Sequence, residues 1–92
     1  MRRSISTSPY RYVARIRYHA PVDIVAPHFP AGSVDIEADG PDATIVTAGA
    51  DDPRQMVPWL AMVDADFEIL ESPELADAME AMAARMRRAT RG

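Results

Sequence analysis

The chain has 92 residues, 48% hydrophobic and 26% charged, and contains no cysteine. That length supports one modest core and not two, and the apolar content argues against wholesale disorder. The absence of cysteine removes disulfides, thiolate chemistry and cysteine–metal sites together. The longest apolar run, Met56 to Val63, falls far short of the roughly 18 residues of a membrane span. The early arginines lead into no apolar stretch of the kind a signal peptide carries, so a cytoplasmic protein is expected.

Lysine and asparagine are missing, and all ten basic side chains are arginines set against fourteen acidic residues, for a net charge of −4. Nine arginines lie before Tyr18 or after Ala84, and only Arg54 falls between. An acidic body with basic ends argues against a general duplex-DNA clamp and leaves room for one local anion-binding face.

Taken in chain order, Met1 to Pro9 is polar and serine-rich and reads as a linker or the remnant of an upstream domain, with the domain proper over 10–92. Tyr10 to His19, YRYVARIRYH, alternates with period two and predicts a strand. Tyr12, Ala14, Ile16 and Tyr18 take one face; Arg11, Val13, Arg15, Arg17 and His19 take the other. Ala20 to Phe29 carries Val22, Val25, Ala26 and Phe29 at helical spacing, with Pro27 set to kink or shorten the helix. Pro30-Ala31-Gly32 turns the chain into a second strand, Ser33 to Glu37, with Val34 and Ile36 facing in. Ala38 to Asp42 is dense in turn formers, and Ala43 to Ala48 makes the third strand.

Asp52-Pro53 and Ser72-Pro73 each place a polar cap before a first-turn proline, where a missing N–H costs nothing. The first opens a helix to about Val63 with Met56, Val57, Leu60 and Val63 inward and Pro58 interrupting its ladder. The second opens a helix to about Thr90. There Leu75, Met79, Met82 and Met86 form a narrow apolar seam, and acidic residues early and arginines late match the helix dipole. Asp66 to Glu71 between them suits a strand. The βαββαβ order with an added helix predicts an α+β fold, a ferredoxin-like sandwich with two helices on one sheet face and the other face uncovered.

These segments also carry a resemblance. Tyr12 to Pro21 is an arginine-bearing strand ending in His-Ala-Pro, and a helix leads to Asp-Phe-Glu-Ile-Leu at Asp66 to Leu70. Ser-Pro-Glu-Leu at Ser72 to Leu75 then opens an alanine-, methionine- and arginine-rich helix. In this order, from about Ser4 onward, the chain resembles the C-terminal extension (WCX-type) domain that follows the WYL domain in bacterial transcriptional regulators. The resemblance implies a non-catalytic, sensory and oligomerising part of a DNA-binding regulator. Its implied partners are a second copy and upstream WYL and winged helix-turn-helix domains. The Trp-Tyr-Leu tripeptide and any helix-turn-helix segment are absent, so the WYL ligand contacts have no positions here, and the chain reads as a piece of a longer protein.

Arg11, Arg15 and Arg17 are the candidate contact residues, spaced about 7 Å per two-residue step along a strand. One reading is a groove for single-stranded nucleic acid, which some relatives bind, or for a small anionic effector. The other is cross-strand pairing with Asp35, Glu37 or Glu68. Single-strand binders want aromatic platforms on the same face, and the tyrosines here alternate onto the opposite one. The seam Leu75, Met79, Met82 and Met86 serves either as core or as an oligomer or interdomain interface. Trp59 is expected to fill a gap at its helix edge, with recognition as the alternative, and the arginines from Arg85 to Arg91 to form a solvated helix end.

His19 and His28 lack metal-ligand spacing, so neither metal nor cofactor is expected. No glycine-rich phosphate loop or nucleophile context appears. An acylphosphatase-like reading fails for want of an asparagine, and no enzyme activity is expected.

Overall fold

A computed structural model describes residues 11–91. The expected leading segment 1–9, and Tyr10 at the start of the first strand, lie outside the described residues. The elements are β1 (Tyr12–Tyr18), α1 (Val22–Val25) continued by a 3₁₀ turn (Ala26–His28), β2 (Asp35–Ala38), β3 (Thr44–Ala50), α2 (Pro53–Ala61), β4 (Phe67–Glu71) and α3 (Pro73–Arg91). The fold is α+β, a four-stranded sheet in the order β2-β3-β1-β4 with every neighbouring pair antiparallel.

The first strand's alternation explains the layering. Ala14, Ile16 and Tyr18 are fully buried and stand opposite Ala48, Val46 and Thr44 of β3. Against them pack Val25 and Phe29, then Met56, Val57, Leu60 and Val63, the inward stripe expected of the second helix. Burying each of the larger aliphatic side chains contributes about 1.5–3 kcal/mol. The Tyr18 ring lies 5.4 Å from that of Phe67 and 6.4 Å from that of Phe29, centroid to centroid, in tilted geometry. Its hydroxyl donates to the Leu60 carbonyl at 2.7 Å. That carbonyl lies in the last turn of α2, where the helix supplies no partner of its own. Thr44, also fully buried, donates to the Ala20 carbonyl at 2.8 Å and ties β3 to the loop entering α1.

The prolines act unequally. Pro27 ends α1 after one turn and leaves a 3₁₀ continuation, in which the Phe29 N–H donates to the Ala26 carbonyl at 3.0 Å; the ten-residue helix expected there is therefore much shorter. Pro58 is carried inside α2, which still presents Met56, Val57 and Leu60 to the core. Both cap-proline pairs work as expected: Asp52 accepts the Arg54 N–H at 3.0 Å, and the Ser72 hydroxyl accepts the Leu75 N–H at 3.2 Å. Gly40, at φ +82°, makes the β2–β3 turn in a conformation that only glycine adopts freely.

The terminal helix packs against α2, not across the exposed sheet face. Leu75 is fully buried, and Ala78, Met79 and Met82 pack on the core from the side. From Arg85 onward every described residue is exposed. No helix is long and apolar enough to cross a membrane among the described residues.

Candidate functional site

The sheet face away from the helices carries Val13, Arg15 and Arg17 from β1, as the alternation requires. Across β3 stand Thr47 and Ile45, and beyond them Asp35 and Glu37 of β2. On the other side, β4 presents Glu68 opposite Arg17 and Glu71 opposite Arg15. The second of these positions depends on a bulge. Ile16 pairs with Ile69 but Arg15 pairs with Glu71, so Leu70 is the extra residue. Regular alternation would have set Leu70 opposite Arg15; the bulge substitutes a carboxylate.

Both arginines are thereby engaged. The Arg15 guanidinium lies 3.3 Å from Glu71. Arg17 ties β1 to β4 and to the turn after β2, donating from Nε to Asp39 at 2.8 Å and from one terminal nitrogen to Glu68 at 3.2 Å. Those two carboxylates, Glu68 foremost, raise the Arg17 pKa above its ordinary value. His19 reaches the same Glu68 at 3.8 Å. Of the partners expected from sequence, Glu68 is met. Asp35 and Glu37 are not, because β3 separates β2 from β1. Asp39, just after β2, and Glu71, beyond the bulge, take their place. The two guanidinium groups share this face with five carboxylates, three of which they contact, so the surface carries an acidic balance. Arg11 precedes β1, exposed, and its backbone N–H donates to Asp51 at 3.4 Å.

The terminal seam divides. Leu75 belongs to this domain's own core, Met79 and Met82 lie half-buried on its flank, and Met86 is 57% exposed on the overhanging turns. Trp59 is 54% exposed at the rim of a cleft under α2. No group of three or more metal-ligating side chains comes together among the described residues.

The family model of the WCX domain matches residues 9–87, and the chain belongs to the WCX domain family. WCX is a regulatory type of domain and not a known enzyme family. No solved structure gives a match.

Proposed function

We propose that the chain is the regulatory and oligomerising domain of a bacterial WYL-type transcriptional regulator, non-catalytic and acting in the cytoplasm. It is read as a ferredoxin-like βαββαβ unit with an added helix, which the strand order and the antiparallel pairing support. Its work is to hold two protomers together and to help form or relay an effector site built mainly by an upstream WYL domain, with a winged helix-turn-helix domain reading the promoter.

One observation carries the oligomer. At 100° per residue, Glu74, Asp77, Ala81, Ala84, Arg88 and Arg91 share roughly a third of the circumference of α3, on the side away from Leu75, Met79 and Met82. All are exposed except Ala84, which is intermediate. The stripe is palindromic in charge. When a second copy runs antiparallel about a point between Met82 and Ala83, Glu74 meets Arg91, Asp77 meets Arg88 and Ala81 meets Ala84. Glu80 and Arg85 pair at the margins by the same rule. Alanines at the centre let the backbones approach, and a two-fold axis makes each contact occur twice. The half-exposed seam, with Met86, remains for a neighbouring domain.

Sedimentation velocity over a concentration series tests this. A dimer that weakens as salt rises is expected, since the contacts are exposed ion pairs. A strict monomer at high micromolar concentration in low salt overturns it. Binding of single-stranded nucleic acid or an anionic effector by Arg11, Arg15 and Arg17 is the rival reading. The acidic balance of the sheet face weighs against it. A labelled oligonucleotide titrated at two salt concentrations discriminates, because phosphate contacts make affinity fall steeply with salt.

A further inference from the structure

β3 outruns its neighbour. Thr44 to Thr47 pair with Ala38 to Asp35, but Ala48, Gly49 and Ala50 have no β2 partner. The hairpin bond from the Asp39 N–H to the Ala43 carbonyl, 2.8 Å, sets the phase of this ladder. Hydrogen-bonded pairs alternate in an antiparallel pairing, so Ile45, Thr47 and Gly49 turn their N–H and C=O groups toward β2. Gly49 is the first of these to find no strand there. Among the described residues, none supplies its backbone groups with another hydrogen bond.

Gly49 is among the residues that line a cleft of about 430 Å³ between β3, the segment Gly32 to Val34 and α2. The volume lies within the range of small-molecule sites, about 300–1,000 Å³. Its walls are mainly apolar, from Phe29, Val34, Ala50, Met56, Trp59 and Leu60, with Ser33 and Gln55 adding polar groups and Asp51 the one charged side chain among the described residues that line it. The rim tryptophan is more than half exposed, which is unusual for the largest apolar side chain in a small domain. The unpaired edge is a single rung long, closed by β2 on one side and by the turn into α2 on the other. It is too short to zip up a peptide strand.

We propose that this cleft is a binding site for a small, flat, uncharged aromatic molecule bearing a carboxamide-type edge. The ring lies against Trp59 and the apolar walls, while the amide supplies an acceptor to the Gly49 N–H and a donor to its carbonyl. Anions are disfavoured by Asp51 and by the absence of a lining arginine. The site is separate from the α3 surface used for self-association, and it stands whether or not the domain dimerises.

The test uses benzamide as the probe, titrated into the isotope-labelled 92-residue chain and followed by the NMR shifts of the Gly49 amide and of the indole N–H of Trp59, the single tryptophan. For so small a ligand, dissociation constants of about 1–10 mM are expected. Benzoate, with two acceptors and a negative charge, binds about tenfold more weakly or less, and Asp51→Asn narrows that gap. Ala50→Leu, which fills the cleft, weakens benzamide about tenfold. Trp59→Ala, at an exposed position that the fold does not need, weakens it severalfold and serves if the leucine variant fails to fold. Absence of shifts at Gly49 and Trp59 at about 20 mM benzamide overturns the proposal. So does equal binding of benzoate, or binding indifferent to Trp59→Ala.

Discussion

Replacing Tyr18 by phenylalanine isolates one hydrogen bond at the centre of the domain. The ring is fully buried between Phe29 and Phe67 and remains in the variant, so no cavity larger than one oxygen is created. What is lost is the 2.7 Å bond to the Leu60 carbonyl. That carbonyl lies in the last turn of α2, beyond the reach of the helix's own ladder, on a residue that is 1% exposed. Leaving such a group without a partner costs about 1–2 kcal/mol. For a domain of this size, each kcal/mol lowers Tm by about 4–8 °C. Urea unfolding followed by far-UV circular dichroism should show a lower midpoint with an unchanged slope. A loss below about 0.3 kcal/mol would refute the reasoning and mean that water or another donor already serves Leu60.

The same burial pushes the Tyr18 phenol far above its ordinary value near 10. The unfolded chain releases this proton first, so the stability it contributes is complete below about pH 10 and is lost as pH rises beyond it. An ultraviolet titration should find one of the three tyrosines silent until the domain unfolds; normal titration of all three contradicts this. Ser72→Ala removes the hydroxyl that accepts the Leu75 N–H and should cost about 1 kcal/mol in the same urea assay, whereas no change would mean that Pro73 alone starts the helix. Gly40→Ala meets no steric obstacle but must hold φ near +82°, a strain of about 1–2 kcal/mol; a neutral result would show that the turn relaxes.

Much of the fold is legible in the sequence, because each signal is local. Period-two alternation in YRYVARIRYH assigns every β1 side chain to its face, and the Asp-Pro and Ser-Pro pairs mark where α2 and α3 begin. The inward stripe of α2 follows from spacing alone. The site is less legible because its contacts depend on strand order and register. Asp35 and Glu37 are opposite in sign to Arg15 and Arg17, yet β3 intervenes. Glu71 comes into play only through a one-residue bulge at Leu70 that breaks the alternation a reader would extrapolate. Asp39 has the ordinary look of a turn residue, and nothing local says that Arg17 reaches it. The methionine seam is periodic throughout, but periodicity cannot say where the core stops, and the body ends between Met82 and Met86. Trp59 reads as edge filler until the splaying of the chain before β2 reveals a cleft beneath it.

The antiparallel pairing of α3 is tested most directly by mixing two charge-reversed chains. One carries Arg85→Glu, Arg88→Glu and Arg91→Glu; the other carries Glu74→Arg, Asp77→Arg and Glu80→Arg. Sedimentation equilibrium should find each variant monomeric alone, because its own copies now repel along the whole stripe, and should find a one-to-one heterodimer on mixing. Dimers of either variant alone, or no association in the mixture, would contradict the pairing.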